Sequence, residues 1–267
     1  MPTTYAHFRF GNDVLKVLPD EMKKTINKNI ELYNIGLHGP DILFYNKPYK
    51  KNKISILGTF LHEDKARNFF EHSIKIINDI DDKKIKIASL CYIYGFICHF
   101  SLDCSSHNYI NKKTSETNLS HAEIEAEFDR LLLVKDNLNP IRTKLTNHIV
   151  PSKFNAHIIC KFFNSISCNE IQSTLKSMKF YLNCLVAPSK IKRSIIYSLL
   201  NIAGKYEAMH GLIINYEPNP KCLESNNILF EIYKERIEKA KNLIINYTCS
   251  LKSNTILDKE FDRNFEA

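Results

Sequence analysis

Three side chains that can bind metals recur at a strict spacing of four in YGFICHFSLDCSSHNY, residues 94–109: His99, Asp103 and His107. Four residues turn an α-helix through about 400°, so the three climb one face. Imidazole nitrogen and carboxylate oxygen are both zinc donors. The residues between them, Phe96, Ile97, Cys98, Phe100 and Leu102, are mostly apolar, which makes this helix central and buried. A polar stripe on a buried helix must be satisfied, by a metal or by a hydrogen-bonded core. Three donors in register favour the metal. A second pair, His121 and Glu125, stands four apart in SHAEIEAEFDRLLLV, residues 120–134, where Ser120 and Glu123 have capping-box spacing. His38 and Asp41 lie in GLHGPDILFY, residues 36–45, a loop marked by Gly and Pro whose apolar flanks turn it inward. With His7 and His62, the first half of the chain offers more donors than one catalytic zinc can use, since such an ion takes about three protein ligands and keeps an open position. Two or three metals fit. His72, His148, His157 and His210 have no acidic partner at helical spacing and read as structural or surface residues.

The elements that must position these donors are helices. Gly (7) and Pro (9) are scarce among 267 residues, which argues against a many-turned β fold. Strands are nowhere convincing, and no repeat, linker or low-complexity tract divides the chain. The expectation is an all-α fold of seven to nine helices in a single domain over residues 1–267, with every metal donor inside 1–130. In order, the pattern predicts an irregular lead-in over residues 1–18 that ends in a short helix, a helix over 20–34, the loop 36–45, and a solvated basic loop from Lys47 to Lys53. His62 falls in a turn ahead of a helix over 64–78. The central helix starts near Lys84 and ends soon after His107, before a polar loop at 111–119. Helices follow at 120–134, 152–165 and 169–185, from Pro188 to about His210, and from Ile228 to Tyr247. The charged tail, 251–267, is expected to fray. Eight cysteines with no CxxC spacing, set in apolar stretches, read as free buried thiols. The formal charge of +8 suits anionic surfaces or substrates. No basic segment followed by an apolar one opens the sequence and no run approaches eighteen apolar residues, so a cytoplasmic location is expected.

In this order of landmarks the sequence resembles the zinc-dependent phospholipase C family, which shares its fold with the S1/P1 nucleases. The matching features are an early histidine (His7), a loop ending in Pro40-Asp41, a lone His62, HxxxDxxxH (His99, Asp103, His107) and HxxxE (His121, Glu125). The resemblance implies a helical bundle with a metal cluster in its core and Zn²⁺ as cofactor, two or three ions. By the same resemblance Asp41, His62, His99 and Asp103 hold one zinc, and His107, His121 and Glu125 a second. Asp103 bridges to a third that His7 also binds. The family's secreted enzymes complete that third site with an N-terminal tryptophan. This sequence has no Trp, and His38 is the candidate substitute. Asp41 is the expected catalytic residue, orienting or deprotonating the attacking water. The implied activity is hydrolysis of phospholipids to diacylglycerol and a phosphorylated headgroup, with peripheral membrane contact allowed for and no stable nucleic-acid complex expected. Leu43, Phe44, Tyr45 and Phe60 are placed either along the acyl approach or in the core. The alternatives are an S1/P1-like nuclease or nucleotidase acting on single strands, or a non-catalytic zinc-binding relative.

Overall fold

The computed structural model of the chain describes residues 4–253 and 255–266, and these are helical with no strand among them. The helices are α1 (Thr4–Val17), α2 (Asp20–Asn27), α3 (Ile30–Gly36), α4 (Lys53–Glu63), α5 (Ala66–Asn78), α6 (Lys83–Glu116), α7 (His121–Lys135), α8 (Lys153–Ile159), α9 (Cys168–Leu185), α10 (Lys190–Ile202), α11 (Tyr206–Met209) and α12 (Leu223–Ser253). Short 3₁₀ turns punctuate them, of which Gly39–Tyr45 matters most to the site.

Helix α6 is the axis. Its 34 residues span about 50 Å at the usual rise. Asp82 caps it, its side chain accepting from the amides of Lys84 at 2.7 Å and Ile85 at 2.9 Å. From Cys91 to Cys104 every side chain is buried, apolar or not. A helix apolar all round must be wrapped, and α1, α3, α5, α7, α8 and α12 do so. Its most apolar stretch is long enough to cross a membrane, yet 78% of that stretch lies inside the fold. The tightest approach is with α3, through Gly36 and Gly95. A Cβ on Gly36 would lie 2.2 Å from the Tyr92 carbonyl, and one on Gly95 2.1 Å from the Tyr33 carbonyl.

Several boundaries differ from the sequence pattern. The lead-in is helical from Thr4 because a distant side chain caps it: Asp129 accepts from the amides of Tyr5 at 3.0 Å and Ala6 at 2.7 Å. The helix expected over 20–34 breaks into α2 and α3 at Asn29, whose backbone leaves the helical region. His62 lies in the last turn of α4, not in a loop. The polar segment 111–116 continues α6, anchored by buried Ile110 and by Lys113 bonding Glu224 of α12 at 2.6 Å. The capping box at Ser120 and Glu123 forms as expected. Cys160 and Cys168 are joined in a disulfide, contrary to the expectation of free thiols, because the turn from α8 into α9 brings their Cα atoms to 5.1 Å. Cys91, Cys98, Cys104 and Cys222 are free and buried.

The tail departs most. Phe261 and Phe265 are fully in the core: Phe261 stacks on Phe100 and tilts against Phe70, and Phe265 meets Phe96 and Phe100 edge-on. The Phe265 amide donates to the His62 carbonyl at 3.1 Å, and Ala66 N donates to the Arg263 carbonyl at 2.9 Å. Two aromatics spaced by four therefore outweigh the charges that made this segment look solvated.

Candidate metal centre

The eight donors expected from sequence come from five elements: His7 from α1, Asp41 from the 3₁₀ turn, His62 from α4, His99, Asp103 and His107 from α6, and His121 and Glu125 from α7. The fold gathers them into three groups whose donor atoms lie within 4.8 Å of one another: His7, His99 and Asp103; Asp41, His62 and His99; and His107, His121 and Glu125. His99 is common to the first two. Asp103 faces two imidazoles, with Oδ1 3.0 Å from His7 Nε2 and Oδ2 2.9 Å from His99 Nε2. Asp41 Oδ1 lies 3.1 Å from His62 Nε2. Glu125 Oε1 stands 2.8 Å from His121 Nε2 and 3.5 Å from His107 Nε2.

Local geometry explains how close these groups come. Gly39 is in the left-handed region at φ 45°, and a Cβ there would lie 2.2 Å from His99 Cδ2. Only glycine lets the Asp41 turn lie directly on the His99 ring. The His7 and His99 rings stack with centroids 4.3 Å apart, which ties α1 to α6.

Three of the imidazoles are oriented by backbone carbonyls. His62 Nδ1 donates to the Gly58 carbonyl at 2.7 Å, His99 Nδ1 to that of Leu37 at 3.2 Å, and His107 Nδ1 to that of Phe265 at 2.8 Å. A carbonyl can only accept, so each Nδ1 carries its proton. Each Nε2 then points a lone pair, or a second proton, at a carboxylate. A neutral imidazole facing an ionised carboxylate is repulsive, so either the ring is charged or a cation lies between them. The lack of hydrogen bonds favours the cation in the inner group: His7 Nε2, His99 Nε2 and both Asp103 oxygens are buried without one. Nδ1 on a carbonyl with Nε2 aimed at the ion is the usual arrangement of a metal-ligating histidine. The donor set therefore fits zinc.

The electrostatics agree. Burial would raise the carboxyl of Asp103, but the surrounding imidazoles of His99, His107 and His7 hold it well below the usual carboxylate range. Asp41 is likewise lowered, burial being outweighed by its bond from His62. Glu125 falls to about 2 against the effect of burial, helped by His107 and His121. His107, despite burial, is pushed up to about 9 by Asp103 and Glu125. The site thus keeps its carboxylates ionised, the state in which they bind a metal ion.

His38 is not drawn into any of these groups. Its Nε2 meets His148 Nε2 at 2.7 Å, and the His148 ring stacks on Phe8. Burial, together with its neighbour His148, lowers His38 well below its ordinary value, and burial takes His148 to about 3. Two neutral rings sharing one proton account for the pair. His72 is exposed against Asn164, as a surface residue. His157 lies near Cys160 and Cys168, whose sulfurs are bonded to each other. Of the residues proposed for the acyl approach, Leu43 is core, Phe44 packs on His62 at the mouth of the site, Tyr45 faces an apolar cleft, and Phe60 is exposed. Sequence reasoning missed the tail: Phe265 supplies the carbonyl for His107, and Glu266 lines the mouth with His62, His107 and His121. The only sequence signal was the FDRNF pair of phenylalanines.

An all-helical fold whose central helix collects imidazoles and carboxylates from its neighbours defines a metal-site protein. The family described as zinc dependent phospholipase C matches residues 6–174, and the chain belongs to that family. No curated protein and no solved structure matches it.

Proposed function

We propose that the protein is a zinc-dependent phosphodiesterase that hydrolyses phospholipids in the phospholipase C manner, giving diacylglycerol and a phosphorylated headgroup. The observation that carries this reading is the buried Asp103 carboxylate, neither oxygen hydrogen-bonded, facing the Nε2 atoms of His7 and His99, with the His99 ring fixed through Nδ1 to the Leu37 carbonyl, in a chain of this family. His7, His99 and Asp103, Asp41 and His62, and His107, His121 and Glu125 would hold two or three ions. Zinc there would neutralise the anionic phosphodiester and make water nucleophilic near neutral pH. Asp41 is held ionised and buried at the junction of the inner groups, which suits it to orient the attacking water and accept its proton. The carbonyls of Gly58, Leu37 and Phe265 keep the rings from turning. Phe44 and Glu266 frame the mouth through which substrate would reach the site.

The test is a substrate panel run with metal counting on one preparation: phosphatidylcholine in mixed micelles, a chromogenic phosphocholine ester and single-stranded DNA. Metal-dependent release of the phosphorylated headgroup is expected. Cleavage of DNA with none of lipid would sink the phospholipase reading, and well under two zinc per chain would sink the multinuclear site.

A further inference from the structure

Helix α10 lies beyond the family match and carries an apolar face that the described residues leave exposed. Ile191, Ile195, Leu199 and Ile202 are each between 56% and 84% exposed. At 100° per residue they fall within about 80° of one another around the helix. The opposite face is held inward. Arg193 is buried and donates to the carbonyls of Ile214 at 2.7 Å and Ala187 at 3.2 Å, and its guanidinium lies 4.0 Å over the Tyr216 ring. Scattered exposed leucines are ordinary, but a contiguous stripe on one helix marks an interaction surface.

The charge around it says what kind. Residues 171–206 hold six Lys and Arg and no Asp or Glu, against a net +8 for the whole chain. Lys179, Lys192 and Arg193 bond backbone carbonyls, which leaves Lys176, Lys190 and Lys205 as the exposed ones. An amphipathic helix with an apolar stripe and a basic surround suits the interface of an anionic lipid surface, where the stripe enters the headgroup boundary and the lysines meet phosphates. A protein partner would call for acidic groups in the partner, whereas a bilayer supplies both properties together. The position also suits the chemistry. Ala187 and Ile214, the residues Arg193 ties to α10, line an apolar cleft together with Thr4, Tyr45 and Asp129. Those three stand three or four residues from His7, Asp41 and Glu125.

We propose that α10 is a membrane-docking helix that seats the protein on anionic bilayers through Ile191, Ile195, Leu199 and Ile202. The proposal rests on the phospholipid reading for its purpose, but the docking itself needs no metal. The experiment measures co-sedimentation on ice of the full chain as isolated, its metal retained, with vesicles of phosphatidylcholine, alone and with phosphatidylglycerol added. The same is done for Ile195→Asp/Leu199→Asp, changes at exposed positions. Binding is expected to strengthen with phosphatidylglycerol, weaken with salt, and fall at least about tenfold in the double variant. The zinc-loaded variant should hydrolyse the soluble chromogenic ester like the parent while losing activity on vesicles. Equal vesicle binding by parent and variant overturns the proposal, as does a parent that ignores both vesicle types. A parent that sediments as a dimer, with a monomeric variant, assigns the face to a second copy and overturns it too. Vesicle binding without lipid hydrolysis would leave the docking intact and defeat the phospholipase reading instead.

Discussion

The inner and outer donor groups use the same side chains in opposite surroundings. His99 and Asp103 are wholly inaccessible, locked between α1, α6 and the Asp41 turn, while His121 of the outer group is 32% exposed at the mouth of the site. The inner group pays the full cost of removing charged donors from water, and its orphaned atoms show that the protein alone does not recover it. The outer group is solvated only at His121, which is bonded to Glu125, while its other histidine, His107, is buried with Nε2 lacking a hydrogen bond. The contrast assigns different roles to similar chemistry. An ion in the inner group would be integral to the fold, because it joins α1 to α6. An ion in the outer group would exchange more readily and sit nearer arriving substrate.

The sharpest way to break this contrast is Asp103→Asn, which keeps the shape and removes the charge. It should lower zinc content and reduce phosphodiester hydrolysis by more than about a hundredfold, beyond the about 10–100-fold typical of losing an outer hydrogen-bond partner. It should also destabilise the fold, since breaking a buried ionic cluster costs about 3–5 kcal/mol. Metal counting and thermal melting on the same sample check both, and an unchanged zinc count would contradict the assignment. His121→Ala should behave differently. Zinc should fall by no more than one per chain, activity should drop strongly, and stability should change by less than about 1.5 kcal/mol. If instead it unfolds the protein as Asp103→Asn does, the distinction between inner and outer is wrong.

A smaller effect is expected from ending the chain after Asn264. This removes the carbonyl that orients His107 together with a buried phenylalanine, so activity should fall about 10–100-fold with a stability loss of about 3–5 kcal/mol. Comparing it with Phe265→Leu, which retains the carbonyl, separates orientation from packing: the leucine variant should keep most of the activity.

The gentlest test uses pH on the His38–His148 pair, which flanks the inner group without joining it. Both rings are held below their ordinary value, so between about pH 6.5 and 3 the unfolded chain binds protons that the folded one does not. Their contribution is complete above pH 6.5 and is lost as pH falls through this window, by up to about 1.4 kcal/mol per unit for each ring. Denaturant unfolding at a series of pH values should show a flatter dependence in His148→Gln. Equal slopes in parent and variant would remove the pair from the account.

What the sequence determined by itself is the helical class and the donor inventory. Spacings of four on α6 and α7, the scarcity of Gly and Pro, and the capping residues are all local, and helices are local structures whose period is written along the chain. The tertiary structure decided how the donors group. His99 and His107 share a face on α6, yet His99 joins His7 and the Asp41 turn while His107 joins α7, because neighbouring helices reach different heights of that face. Contacts between distant residues likewise decided the features that the pattern missed. Asp129 caps α1 across 123 positions, and Phe265 reaches His107 across 158. No periodicity records such partners: a side chain that replaces a local cap, or a carbonyl that turns an imidazole, is fixed by packing of the whole chain. The tail shows it best, since two phenylalanines found a core that only the assembled helices provide.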